Sequence, residues 1–173
     1  MVEPEKPDND EMYTPQKVFA PLQSEFQFQL DPCCTHESAK AERYYTKAEN
    51  GLWMPWYLWR VFLNPPYSNI GVWLEKSLQE REIGCPLVVA LLPSWTDRVW
   101  WHEYIEPDRR AGRAEVRFLR GRPVYGVPGD PEALLPDPRT GKKRGAGKFP
   151  NVLIIWRAKN LVIPDPRQVA LFG

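Results

Sequence analysis

Val61-Phe62-Leu63-Asn64-Pro65-Pro66-Tyr67 is the stretch on which the reading of this 173-residue chain turns. Its apolar start reads as a buried strand. The prolines cannot continue a sheet ladder, because proline lacks an amide hydrogen and holds φ fixed, so a rigid loop begins at Asn64. Downstream, Ile70, Trp73, Leu74 and Leu78 recur at helical spacing, and Pro86 to Leu92 form a second buried-strand run. Strand, loop, helix and strand in this order predict an α/β fold. The loop then lies at the carboxyl end of a strand, where such sheets bind ligands.

The loop's residue types suit methyl transfer to an amino group. An amine on a conjugated ring is a poor nucleophile, because its lone pair is delocalised, and acceptors that favour a pyramidal nitrogen counter this. The Asn64 side-chain oxygen and a backbone carbonyl within the turn, such as that of Pro65, offer two acceptors. Pro65 and Pro66 stiffen the geometry, and Tyr67 supplies a flat face for a base. Read alone, the tetrapeptide also fits an ordinary strand-to-helix turn, as the lesser alternative.

The composition predicts one globular domain, with 43% hydrophobic and 13% aromatic residues. No apolar stretch approaches the roughly 20 residues of a membrane helix, and the first ten residues lack the basic and apolar regions of a signal peptide. The expectation is a soluble, cytoplasmic protein without a membrane partner. Cys33, Cys34 and Cys85 have neither disulfide-framework nor metal-ligand spacing, and the histidines, His36 and His102, add no recognisable ligand pattern. No metal is expected, and the cysteines read as packing residues.

The formal net charge of +1 hides an asymmetry. Residues 1–108 carry 9 Lys and Arg against 17 Asp and Glu, whereas residues 109–148 carry 11 against 4. The second stretch is a candidate polyanion-binding surface, with a solvated loop as the alternative. Its later cations, Arg120, Arg122, Arg139, Lys142, Lys143, Arg144 and Lys148, fall at the edge of or within a proline- and glycine-rich insertion at about 121–148. An insertion of that length predicts an irregular excursion.

Along the chain, residues 1–13 read as a flexible acidic arm and residues 14–173 as the domain. Thr14 is expected to cap a helix with Pro15 at its first position and Val18, Phe19, Leu22 and Phe26 on its apolar face. A short strand at about Phe28 to Asp31 follows, ending in an aspartate that either binds a ligand's ammonium or hydroxyl groups or caps the next turn. The tryptophans from Trp53 to Trp59 read as an irregular connection covering the sheet. Thr96 is expected to cap a short helix carrying Val99, Trp100 and Tyr104. Glu115 to Leu119 reads as a half-exposed strand, and Val152 to Trp156 as a buried one.

With those residues in hand, the chain resembles the phage-type, Dam-like DNA N6-adenine methyltransferases. The resemblance covers most of residues 13–157. It rests on Thr14-Pro15-Gln16, Leu30-Asp31-Pro32-Cys33, Ala39-Lys40, Arg43-Tyr44-Tyr45-Thr46, Asn50-Gly51-Leu52 and Asn64-Pro65-Pro66-Tyr67-Ser68 with Trp73. It continues through Leu91-Leu92-Pro93, Thr96, Trp100 and Arg117-Phe118-Leu119-Arg120-Gly121-Arg122.

The resemblance implies a Rossmann-like methyltransferase sheet, mostly parallel, with an antiparallel last strand at about 151–157. It implies S-adenosylmethionine as cofactor and DNA as partner, in a bacterial cell and with a phage gene as one source. Thr14 and Pro15 would hold the methionine part of the cofactor, beside Asp31. Asn50, where many relatives carry aspartate, would lie near the cofactor's adenine with Leu52. Asn64 would serve both cofactor and acceptor amine, while Pro65, Pro66 and Tyr67 complete the catalytic loop around a flipped base. No glycine-rich loop follows the first strand.

The same loop chemistry also suits cytosine in DNA, adenine in RNA or a protein glutamine amide. A catalytically silent DNA-binding module of the same fold is the reading from a different class. The sequence leaves the oligomeric state open.

Overall fold

Continuous apolar runs make the centre of the sheet. Residues 12–136, 141 and 147–158 are described in the computed structural model. In chain order these are α1 (Gln16–Phe26), β1 (Leu30–Asp31), β2 (Arg43–Tyr44), β3 (Arg60–Leu63) and α2 (Ile70–Glu82). They continue with β4 (Leu87–Pro93), a π-helical turn (Trp101–Ile105) leading into α3 (Glu106–Arg110), β5 (Ala114–Phe118) and β6 (Asn151–Arg157). The six strands form one sheet in the order β2-β1-β3-β4-β6-β5. β1 to β4 pair in parallel, whereas β6 runs antiparallel to both β4 and β5. The predicted α/β class and antiparallel last strand are both present.

Period-two alternation divides the core between the two faces of this sheet. Val88, Ala90, Leu92, Val152, Ile154 and Trp156 share one core with Ile70, Trp73 and Leu74 of α2 and with Trp101 and Ile105. Leu87, Val89, Leu91, Leu153 and Ile155 share the other with Phe19, Leu22 and Phe26 of α1. Helices therefore cover both faces, which is why the central strands read as unbroken apolar runs.

A buried polar cluster closes the end of the sheet away from the β3 loop. Asp108 accepts hydrogen bonds from Trp156 Nε1 at 3.0 Å and Arg113 Nε at 2.7 Å, and pairs with the buried Arg81 guanidinium.

Four local expectations need correction. Helix α1 begins one residue later than predicted: Pro15 is its N-cap, no side chain caps it, and the Gln16 amide donates to Glu132 Oε2 at 2.7 Å. Thr14 is released from capping. The described chain starts before Thr14, because Tyr13 is buried and exchanges two backbone hydrogen bonds with Gly126, at 3.0 and 2.8 Å. Trp53 is 85% exposed while Trp56 is fully buried, so only part of that aromatic cluster covers the sheet. Finally, helical structure after β4 begins at Val99, without a Thr96 cap; its buried residues are Trp101 and Ile105, and Val99 faces solvent.

Candidate active site

The sheet order creates the crevice. From β1 the chain moves outward to β2, whereas from β3 it moves the opposite way to β4, so the loops leaving the adjacent strands β1 and β3 diverge. A cavity of about 360 Å³ opens there. This is the switch point at which open α/β sheets bind ligands. Its walls come from Met12 to Thr14, the 31–40 segment after β1, residues 46–52, and Asn64, Pro66, Asn69 and Trp73 after β3.

Thr14, Asp31, Asn50, Leu52, Asn64 and Pro66 all line this cavity, as expected for one site. Pro15, Pro65 and Tyr67 do not line it. The four segments are tied together by short-range geometry. Trp56 is locked from two sides, its backbone amide donating to Glu80 Oε2 and its Nε1 to the Gly51 carbonyl, both at 2.9 Å. Gly51 in turn packs on Pro32 so closely that a Cβ would lie 1.9 Å from the Pro32 carbonyl oxygen. Asn50 adopts φ 55°, a left-handed conformation asparagine tolerates, and its Oδ1 accepts from the Leu52 amide at 3.3 Å.

Two polar atoms of residues in this wall lack partners among the described residues. Thr14 Oγ1 and Asn64 Oδ1 are both buried without a hydrogen bond. The Asn64 amide nitrogen donates to the Met12 carbonyl at 2.7 Å, which leaves Oδ1 as its remaining acceptor. Buried polar groups are ordinarily paired, so these two atoms match a ligand with donors to offer.

Asp31 is 2% exposed, and burial pushes its carboxyl up to about 6, opposed by the backbone amides of Lys40 and Cys33. Its two oxygens accept from those amides at 3.1 and 3.3 Å. Cys33 and Cys34 line the cavity instead of merely packing the core, and burial beside Asp31 raises both thiols, which keeps them protonated. Lys40, in the same wall, lies 3.9 Å from Glu132. Among the described residues there is no cluster of three metal-ligating side chains and no helix long and apolar enough to cross a membrane.

Beyond Pro66, Tyr67 enters an aromatic enclosure drawn from distant parts of the chain. Its ring centroid is 5.3 Å from Phe149, 6.0 Å from Trp95 and 6.4 Å from Tyr125. Burial holds the Tyr67 hydroxyl up at about 12, and it bonds to the Tyr125 hydroxyl at 3.1 Å. Phe149 and Tyr125 carried no signal in the sequence. They lie in a proline- and glycine-rich excursion, and only the antiparallel return of β6 brings them to the loop. Arg120, Arg122 and Lys148 are exposed at the base of that excursion, where the Gly147 amide donates to the Arg122 carbonyl at 3.1 Å. Arg139, Lys142, Lys143 and Arg144 lie outside the described residues.

Fold and site together define an open α/β protein whose cavity sits at a topological switch point, lined by a buried aspartate and by Asn64 and Pro66 of the Asn-Pro-Pro-Tyr loop. Residues 2–168 match the family model described as DNA N-6-adenine-methyltransferase (Dam), and the chain belongs to that family. It is also similar to a DNA N-6-adenine-methyltransferase of Escherichia phage T1, with 29% identity over 108 residues, 61% of this chain and 43% of the relative. The match thus spans less than half of that relative's length.

Proposed function

We propose that the protein transfers a methyl group from S-adenosylmethionine to the exocyclic amine of adenine in DNA. The unpartnered Asn64 Oδ1 at the wall of the switch-point cavity carries this reading. S-adenosylmethionine supplies an electrophilic methyl group on a sulfonium. The residues lining the cavity fit such a molecule: Asp31 would hold its ammonium and Thr14 Oγ1 would meet its methionine end, next to Pro15. Asn50 and Leu52 would border its adenine.

On the acceptor side, Asn64 Oδ1 and the Pro65 carbonyl would accept the two amine hydrogens and orient the nitrogen lone pair toward the methyl group. Pro65 and Pro66 hold those acceptors without reorganisation. The nitrogen loses a proton once the new N–C bond has formed, so positioning matters more than a strong base. Tyr67 would border a base flipped from the duplex, within an aromatic enclosure suited to a planar ring. Arg120, Arg122 and Lys148, together with Arg139, Lys142, Lys143 and Arg144, would hold phosphates and position the duplex.

The test is incubation with labelled S-adenosylmethionine and unmethylated duplex DNA, followed by digestion and mass spectrometry of the nucleosides. Appearance of 6-methyladenine is expected. Methylated cytosine would overturn the acceptor, and an unmodified product despite measured cofactor binding would overturn the activity.

A further inference from the structure

We propose that Asn151 is a positioning residue for this transfer, setting the Tyr67 ring against the insertion; the inference rests on the function proposed above. Asn151 opens β6 and is fully buried, followed by Val-Leu-Ile-Ile-Trp before the strand ends at Arg157. An apolar residue would fill the same space without an amide to satisfy. Its Nδ2 lies 3.1 Å from the Leu92 carbonyl, 2.8 Å from the Tyr125 hydroxyl and 3.3 Å from the Tyr67 hydroxyl. Two hydrogens thus serve three acceptors. One reaches the end of β4 and the other is shared by two tyrosines that already bond to each other.

The consequence is a defined orientation for Tyr67. A tyrosine ring at the mouth of a loop can swing about its side-chain torsions, but a hydroxyl fixed at its far end removes that freedom. The Asn151 backbone is held in the sheet, in register with Pro93 across the ladder. The residue before it completes the frame: the Pro150 carbonyl accepts from the Ser94 amide at 3.0 Å and the Ser94 hydroxyl at 3.2 Å, holding the loop that carries Trp95. One strand start therefore fixes Tyr67, Tyr125 and the neighbouring Trp95 loop together. Its apolar replacement should leave the fold and the cofactor cavity intact while releasing the ring.

The experiment compares wild type, Asn151→Leu, Tyr125→Phe and the double variant, using S-adenosylmethionine and duplex DNA from a methylation-deficient bacterium. Asn151→Leu is expected to lower kcat by roughly tenfold or more, with the Kd for S-adenosylmethionine and the thermal midpoint nearly unchanged. Tyr125→Phe should lose less, and the double variant should be no worse than Asn151→Leu, because both act through one network. An unchanged kcat, or a kcat that falls in step with cofactor affinity and melting temperature, would overturn the inference. If Asn151→Leu does not fold, Tyr125→Phe, which removes only an oxygen, decides in the same way.

A second readout separates this inference from the function itself. In tyrosine-labelled protein, with Tyr67 assigned by Tyr67→Phe, the Tyr67 ring resonances should shift or change their averaging in whichever of the two variants folds. Unmoved Tyr67 signals would overturn the positioning role even in an active enzyme. Wild type that methylates no DNA would overturn the proposed function, and moved Tyr67 signals would then still support Asn151 as the residue that fixes the ring.

Discussion

The Asn64 side-chain nitrogen bonds the Met12 carbonyl over 2.7 Å, and that bond decides which end of the amide is left without a partner among the described residues. Nitrogen is occupied, so the oxygen is the end free for an acceptor amine. Asn64→Ala is therefore expected to lower methylation by about 10²–10³-fold, the usual scale for a lost polar group at a reacting centre. Affinity for S-adenosylmethionine, measured by calorimetry, should change only a few-fold. Equal losses of binding and activity would mean that the amide mainly shapes the wall.

Asp31 gives the site a pH dependence whose sign is fixed by burial. Its carboxyl is raised to about 6 from 3.8, so the folded protein holds this proton more tightly than the unfolded chain. This group's contribution to the stability of the ligand-free protein should fall as pH rises from about 4 to about 6, then level off. A cationic ammonium prefers the carboxylate, so S-adenosylmethionine affinity should rise through the region near pH 6. Asp31→Asn should weaken binding at pH 7.5 and flatten both profiles. An identical binding profile in the variant would exclude Asp31 as the ammonium partner.

Gly51→Ala tests how tightly the cavity wall is assembled. The added methyl would meet the Pro32 carbonyl oxygen at 1.9 Å, and backbone on both sides leaves no flexible atom to yield. A loss of about 1–3 kcal/mol in stability is expected by chemical denaturation, together with weaker cofactor binding. A variant as stable as wild type would show that the two segments separate freely.

Asp108→Ala should do the opposite, costing stability without touching the site. The carboxylate is buried between Arg81, Arg113 and Trp156 at the other end of the sheet, and its removal leaves the buried Arg81 guanidinium with only the half-exposed Glu82 as its carboxylate partner among the described residues. Breaking a buried pair outright costs about 3–5 kcal/mol, and the remaining Glu82 contact sets that as the upper end here. Thermal melting should drop by many degrees, while cofactor affinity at low temperature holds.

Replacing Arg120, Arg122 and Lys148 with alanine should weaken DNA binding and lower the magnitude of the slope of log affinity against log salt by about 2 to 3. Fluorescence anisotropy across a salt series measures it. An unchanged slope would remove the base of the insertion from the DNA-binding surface.

How much of this was legible in the chain depended on whether the signal was local. β3, β4 and β6 could be read because strands buried on both faces are unbroken apolar runs. β2, only two residues long, carries no periodicity of its own. Thr14, Asp31, Asn50 and Asn64 could be picked out together because each belongs to a short ordered block, and one cavity is lined by all four. The helix start at Thr14 was misread for a physical reason: its hydroxyl is left for the cavity, and the carboxylate meeting the first turn comes from Glu132, 116 residues away. The aromatic surroundings of Tyr67 have the same character. Trp95, Tyr125, Phe149 and Asn151 are neighbours only because β6 returns between β4 and β5.

That return has a consequence for how the molecule can diversify. Phe118, at the end of β5, pairs directly with Val152, at the start of β6, so the excursion between them leaves and re-enters the sheet at the same point. A connection anchored in this way behaves as an exchangeable cassette. Doubling its length costs only about 0.6 kcal/mol in closure entropy, and no strand need shift to admit it. This one segment can be rewritten without disturbing the sheet, under the single constraint that the part contacting Tyr13 and Tyr67 keeps those contacts.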